Sequence, residues 1–470
     1  MTRPLRLDPD RLFPADPGTR AIARTLYEKI AGLPIISPHG HTDPSWFASD
    51  APFTDAANLL IVPDHYVLRM LMSQGIGLDA LGVPTVDGSP TETDPRAIWS
   101  LFAANYHLFR GTPSRMWLDW VFAEVFGLDV RLDAATADHY FDVIGAALQT
   151  DAFRPRALFE RFNIEAIATT ESPLDPLAHH AAIRNSGWSG RVITAYRPDP
   201  VVDPEAANFA ANVARFGQTA GTDTATFSGY LAAHRFHRAR FREAGATSTD
   251  HGHPSAATAD LSFDDAAALY DRVLAGSTPA DAELFRAQML TEMARMAIDD
   301  GMVMQLHPGV LRNHNPEVLA RFGRDKGADI PLAGEFVRSL KPLLDRFGND
   351  PRLTLILFTL DEDVYSRELA PLAGHYPALR LGPPWWFHDS PEGMRRFRER
   401  ATETGGFYNT VGFNDDTRAF LSIPARHDVA RRMDCTWLAQ LVAEGRLEID
   451  EAHEVARALA YDLAKAAYKL

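Results

Sequence analysis

Apolar and polar positions follow two rhythms along the chain, and each change of rhythm marks an element. Over residues 19–31 apolar side chains recur every three or four positions, which predicts a short amphipathic helix. The stretch after it, Leu33-Pro34-Ile35-Ile36-Ser37-Pro38-His39-Gly40-His41, opens as an apolar run and predicts a buried first strand over 33–41, ended by Asp43-Pro44. From about residue 46 to 161 the three-to-four spacing returns and no convincing strand interrupts it. Helices are predicted there at 55–73, 95–110, 113–126 and 134–159, with Gly88, Pro90 and Pro95 marking loops.

A regular alternation then begins. Strand-like segments stand at 164–171, 191–197, 246–251, 302–307, 353–361, 380–387 and 407–416. Helical patterns separate them at 174–184, 203–241, 263–275 with 279–300, 334–347, 362–375 and 390–404, and helices at 426–443 and 449–468 follow. With the opening segment this makes eight strands alternating with helices, which predicts an α/β fold, a (β/α)8 barrel of the TIM type with a helical insertion after strand 1. The expected organisation is an arm, helix and first strand over 1–44, the insertion over 45–161, and the rest of the barrel with C-terminal helices over 162–470. An open doubly wound sheet is the alternative. Its dinucleotide-binding form is disfavoured, because no G-x-G-x-x-G follows the first strand.

Composition narrows the functional classes. A net charge of −15 argues against a general nucleic-acid-binding surface, so no nucleic-acid partner is expected. The basic run 395–400 is read as a solvated helix face. The one cysteine, Cys435, excludes an intrachain disulfide and cysteine-rich zinc sites, and its apolar surroundings make it a core residue. No apolar run long enough to cross a membrane is present and the first residues lack a signal-peptide core, so no membrane partner and a cytoplasmic location are expected.

In this barrel the chemistry gathers at the C-terminal ends of the strands. Those ends carry His39 and His41 on strand 1, Thr169, Thr170 and Glu171 on strand 2, and Arg197 on strand 3. Asp250 and His251 close strand 4, His307 strand 5, Trp385 and Trp386 strand 7, and Asp415 and Asp416 strand 8. Asp361 ends strand 6 but opens a helix, so a capping role is expected for it. Side chains two apart on a strand share a face, which sets the His39 and His41 Cβ atoms about 6.5–7 Å apart, a separation that suits two ligands of one metal ion. His253, past its strand in a Gly/Pro loop, is read as a poor ligand.

His-x-His on strand 1, His on a middle strand and Asp on strand 8 together resemble the amidohydrolase superfamily. The finer resemblance is to the uronate (glucuronate) isomerases. It is carried by PHGHTDP (38–44), DHYVLRML (64–71), ATTESPLD (168–175), YRPD (196–199), TDHG (249–252), MQLHPGVLRNHN (304–315), WWFHDSPEGM (385–394) and DDTRAFLSIPARHDVARR (415–432). These stretches span nearly the whole chain in the family's order. The resemblance implies His39, His41 and Asp416 around one divalent metal, usually zinc. It implies His65 and Tyr66 entering the site from the insertion, and Arg197, His307, Arg418 and one of Trp385 or Trp386 around the substrate. Thr417 stands where Ser is commoner in the family, and Pro308 follows His307; neither change removes a charged or coordinating group.

The implied reaction is aldose–ketose isomerisation of a small-molecule hexuronate, with Asp416, Tyr66, His65 and Arg418 at the chemistry. Moving hydrogen from C2 to C1 passes through an enediolate if a proton is carried, with Asp416, Tyr66 or a metal-bound water as candidate bases; a hydride shift is the other route. Either Arg197 or Arg418 suits the substrate carboxylate by its bidentate geometry. A mononuclear metal-dependent hydrolase is the rival. The absence of lysine from strand 4 and of histidine from strand 6 argues against the binuclear version of that chemistry. Assembly into a homo-oligomer is compatible with every one of these readings.

Overall fold

The computed structural model describes residues 3–206 and 208–470. Residues 1, 2 and 207, which fall in the expected arm and in the expected 203–241 helix, lie outside the described residues.

Seven strands among the described residues form one parallel sheet: β1 (Ile35–Ser37), β2 (Ile164–Glu171), β3 (Arg191–Tyr196), β4 (Ser248–His251), β5 (Val303–Leu306), β6 (Leu355–Leu357) and β7 (Leu379–Leu381). Each pairs in parallel with its neighbours in chain order. They are short and nearly wholly buried, and most are rich in apolar residues, although β4 is the buried polar run Ser-Thr-Asp-His and β2 ends in Thr-Thr-Glu. The architecture is therefore the expected α/β barrel of the TIM type, with helices filling the chain between β1 and β2.

The eighth strand differs from expectation. Residues 407–416 make a single parallel bridge, Leu381 to Thr410, instead of a ladder. The Leu381 N–H donates to Asn409 O at 2.8 Å and the Val411 N–H to Leu381 O at 3.0 Å. Beyond them, the His41 N–H donates to Thr417 O at 3.1 Å, so individual hydrogen bonds join β7 to the segment after β1. Left-handed backbone at Gly412 (φ 72°) and Asp416 (φ 37°) breaks the extended conformation that a ladder needs.

Prolines account for most of the other differences. The 55–73 helix is two, Ala56–Leu60 and α2 (His65–Met72), because Pro63 intervenes and Asp64 recaps the chain by accepting the Tyr66 N–H at 2.8 Å. Pro383 and Pro384 end β7 at Leu381, short of the predicted 387. Residues 203–241 hold two long helices, Phe209–Ala220 and Phe227–Glu243, parted at Gly221. Ahead of β1 lies α1 (Pro17–Ile30), where expected.

The helical segment between β1 and β2 is not free-standing. Its buried aromatics Trp99, Phe102, Tyr106, Phe122 and Tyr140 share one apolar core with Ile35, Ile164 and Ile167 of the sheet. Each such ring buried from water contributes ~1.5–3 kcal/mol, and the shared core fixes the α2 N-terminus over the barrel mouth. A short antiparallel ribbon, Val310–Leu311 with Ile330–Pro331, follows β5. Its loop seats Gly327 against α2 so closely that a Cβ there would meet His65 O at 2.7 Å.

The basic run 395–400 is not a uniformly solvated face. It lies in α3 (Pro391–Gly405), where Arg398 is buried and forks onto Asp434 of α4 (Ile423–Ala443) at 2.6 and 3.2 Å. Cys435 is a buried free thiol, as expected. Asp361 accepts the Asp363 and Gly334 N–H groups, a capping role at its turn. Among the described residues no helix is long and apolar enough to cross a membrane.

Candidate metal centre and active site

β1 stops at Ser37, so the His-x-His pair sits just past the strand instead of on it. Pro38 ends the pairing, and Gly40 lets the loop pass close to the strand-8 segment: a Cβ there would stand 3.4 Å from Thr417 O. The imidazoles lie 5.4 Å apart at 82° and still converge. His39 Nε2 is 3.3 Å and His41 Nε2 3.4 Å from the same atom, Asp416 Oδ1. The left-handed backbone of Asp416 costs about 1–3 kcal/mol for a non-glycine residue, a strain typical of functional positions.

His307, the residue after β5, stacks on His39 at 4.7 Å. Donor atoms of His39, His307 and Asp416 all lie within 4.8 Å of one another. Two donors each ~2.1 Å from one tetrahedral ion stand about 3.4 Å apart, so the observed spacings fit a shared cation. Asp416 Oδ1 and His307 Nε2 are buried and have no hydrogen-bond partner among the described residues. Orphaned buried polar atoms cost about 1–3 kcal/mol each, which a bound cation would remove. Imidazole and carboxylate donors suit a borderline divalent ion.

A carboxylate behind His307 orders it. Asp250, at the C-terminal end of β4 and essentially unexposed, accepts from His307 Nδ1 at 2.7 Å and meets Arg197 Nη1 at 3.1 Å. Arg197 also donates from Nε to Asp199 at 2.8 Å. Burial alone would raise the Asp250 pKa, but Arg197 and His307 outweigh it and hold the group well below the usual carboxylate range. The charge on Asp250 keeps the proton of His307 on Nδ1 and leaves Nε2 toward the donor cluster. Burial likewise pushes His41 down to about 3, so it stays neutral and able to ligate. In His39 burial is outweighed by Asp416 and Asp250, and the net shift is upward. Burial would raise Asp416 too, but the two histidines hold it far below its ordinary value, ionised.

A cavity of about 460 Å³ opens over this cluster. His65 and Tyr66, on the first turn of α2, form one wall; their rings stack at 4.9 Å. Both tryptophans line it, on different contacts: Trp385 meets His307 at 4.8 Å and Trp386 meets His65 at 5.4 Å. Thus every residue read as a site candidate from the resemblance borders the cavity. Of the other strand-end residues, Thr170 borders it, while Thr169 bonds to His180 and Glu171 to Thr194. His251 meets Thr249 at 3.1 Å, and Asp415 meets His427 at 3.1 Å.

Sequence reasoning missed several polar groups. Asp389 accepts from Tyr66 Oη at 3.2 Å and from Arg426 Nη1 at 2.8 Å; both residues stand inside quoted motifs but carried no assignment. Arg312, Arg324 and Asp325 border the cavity from the loop after β5, where no periodicity marks them. Arg312 is paired with Asp329 at 2.8 Å and Arg418 loosely with Asp325 at 3.4 Å. The Arg324 side chain has no hydrogen bond or ion pair among the described residues.

Comparison with known proteins follows the same lines. A family model described as glucuronate isomerase matches residues 18–468. A uronate isomerase of Phenylobacterium zucineum (strain HLK1) is 69% identical over 471 residues, covering 100% of this chain and 98% of that protein. The crystal structure of glucuronate isomerase from Caulobacter crescentus matches with a TM-score of 0.98 at 64% identity, over 99% of this chain and 98% of that one. A uronate isomerase structure from Thermotoga maritima matches with a TM-score of 0.90 at 25% identity, over 98% and 99% of the two chains.

Proposed function

The chain belongs to the uronate isomerase family, and from that premise we propose that it interconverts D-glucuronate and D-fructuronate, and D-galacturonate and D-tagaturonate, at a single divalent-metal site. The observation that carries the reading is the convergence of His39 and His41 on Asp416 Oδ1, at 3.3 and 3.4 Å, beneath a cavity walled by Tyr66 and arginines. We assign His39, His41 and Asp416 as the metal ligands, with His307 adjoining them. A cation held there, zinc by the family resemblance, would supply Lewis-acid polarisation of a substrate oxygen.

The remaining chemistry falls to the chain's own side chains. A uronate in its open form carries a C1 aldehyde, a C2 hydroxyl and a terminal carboxylate. Arg418 is suited to the carboxylate, because its contact to Asp325 at 3.4 Å is loose enough to exchange. Arg197 is committed to Asp199 and Asp250 and presents a fixed positive edge to the substrate oxygens. Trp385 and Trp386 cover the sugar's C–H face and exclude water. His65, which burial pushes down to about 3, is a neutral hydrogen-bonding group beside Tyr66. Loss of the C2 proton leaves an enediolate whose charge the arginines stabilise, and Asp416 and Tyr66 are the side chains that handle the proton between C2 and C1.

The test is conversion of each hexuronate by metal-replete protein, read as ketose formed. Turnover of glucuronate or galacturonate supports the reading, and its absence for both sinks it.

A further inference from the structure

Tyr66 is backed by a carboxylate that the reading above does not use. Asp389 closes the segment between β7 and α3, is 5% exposed, and turns its Oδ2 toward the Tyr66 hydroxyl at 3.2 Å. The same oxygen accepts from Arg426 Nη1 at 2.8 Å. Arg426 is itself buried, its guanidinium 3.6 Å over the Trp117 ring and 5.2 Å from that of Tyr66. The other oxygen, Asp389 Oδ1, is buried without a hydrogen-bond partner among the described residues. A phenol has one proton. With that proton directed at Asp389, the side of Tyr66 Oη that faces the cavity offers lone pairs only.

We infer that Asp389 is the positioning residue of Tyr66 and receives the phenol's proton at the moment Tyr66 takes one from the substrate. The inference rests on the isomerase reading above. In the step, the C2–H bond breaks and its proton goes to Tyr66 Oη. The phenol's own proton passes to Asp389 Oδ2, and the electron pair of the broken bond stays on the substrate. Tyr66 is neutral before and after, Asp389 turns from carboxylate to acid, and Arg426 keeps its charge. Running the relay backwards delivers the proton to C1, so no net proton is gained or lost.

The relay explains how a tyrosine serves without becoming a tyrosinate. Burial, then the Asp389 charge, holds Tyr66 well above its ordinary value. Burial also lifts Asp389 to about 7 against the pull of Arg426, which is where an acceptor that must take and return a proton at neutral pH should lie. The charged or titratable groups that act on Asp389 come from three elements: Tyr66 on α2, Arg426 on α4, and Asp416. Its neighbour His388 is turned away, with Nε2 2.9 Å from Leu360 O.

The experiment uses metal-replete full-length protein and the variants Asp389→Asn, Asp389→Glu, Tyr66→Phe and Asp389→Asn with Tyr66→Phe. Kinetics are followed across pH 5.5–9. Asp389→Asn is expected to lower kcat about 100-fold, as loss of general-base help does, with KM changed less than about threefold. Adding Asp389→Asn to Tyr66→Phe should cost less than about threefold, and Asp389→Glu should recover at least about tenfold over Asn. The wild-type acid limb of kcat, inflecting near pH 7, should vanish in Asp389→Asn and in Tyr66→Phe. Wild-type kcat in Asp389→Asn, or independent multiplying losses in the double variant, overturns the inference. Should Asp389→Asn not fold, the pH profiles of wild type and Tyr66→Phe decide it: an unchanged acid limb in Tyr66→Phe overturns the relay. Inactive wild type overturns the isomerase reading and this inference together, whereas active wild type with an unaffected Asp389→Asn overturns this inference alone.

Discussion

Gly252→Ala perturbs the site by pushing on Arg197, without replacing any side chain that lines it. A Cβ at Gly252 would stand 2.3 Å from Arg197 Nη2 and 2.8 Å from Asp199 Oδ2. Gly252 is not among the positive-φ glycines, so alanine fits the backbone and the effect is steric alone. Relief to an ordinary contact needs a shift of about 1 Å in Arg197 and a smaller one in Asp199. Both are held: Arg197 to Asp199 at 2.8 Å and to Asp250 at 3.1 Å, and Asp199 to the Gly252 N–H at 3.2 Å. Moving the guanidinium by that much takes its contact to Asp250 outside hydrogen-bond range. A lost charge-assisted bond to a buried carboxylate costs about 1.5–3 kcal/mol. If Asp250 then orients His307 less firmly, kcat/KM falls roughly 10- to 150-fold, at 1.36 kcal/mol per decade. The assay is the initial rate of ketose formation for wild type and variant, with thermal unfolding to confirm the fold. A Gly252→Ala protein with wild-type kcat/KM would refute the Arg197–Asp250–His307 chain as a functional device.

Other perturbations separate the parts of the account. Asp416→Asn should lower turnover at least about 1,000-fold and reduce bound metal, measured by elemental analysis, while circular dichroism stays native; retained turnover would remove Asp416 from the site. Chelation should abolish activity and lower Tm, and divalent cation should restore both, because a ligand that binds only the folded state stabilises it. Arg324→Ala should raise KM several-fold at low ionic strength and less in high salt, since an exposed cation at the cavity edge, unpaired among the described residues, attracts an anionic sugar through a screened field. Glu171 is raised to about 7, chiefly by burial. A carboxyl whose folded pKa exceeds its unfolded one favours the fold most below the unfolded value near 4.5, and that contribution is lost as pH rises through about 7. The Tm of Glu171→Gln relative to wild type should therefore rise between pH 5 and 8; a constant difference would contradict the shift.

The barrel was legible because most of its strands are short β-branched or apolar runs alternating with helical patterns; even the polar β4, Ser-Thr-Asp-His, was placed by that alternation. The eighth segment falls in the same alternation, but pairing there is decided by the left-handed backbone at Gly412 and Asp416, a tertiary constraint that periodicity does not register. Likewise the 55–73 helix obeyed helical spacing on both sides of Pro63, and the spacing continued across a break it could not detect. In the site, His39, His41 and Asp416 were found from strand ends and motif order, which survive even though the histidines lie beyond the strand. Asp389, Arg426 and Arg398 were not, for one reason: each is a charge whose partner lies on a different element, at Tyr66, Asp389 and Asp434 respectively. A charge in a helical run looks solvated until the element that covers it is known. Arg324 lies in an irregular loop, where nothing in the pattern separates a cavity-lining cation from a surface one.

The most direct measurement pairs metal content with turnover on one preparation. Purified chain, titrated with a divalent cation and mixed with D-glucuronate, is followed by the appearance of the ketose. The account predicts that activity rises linearly and saturates at one cation per chain. Saturation at two cations, or full activity in metal-free protein, would contradict a mononuclear centre at His39, His41 and Asp416.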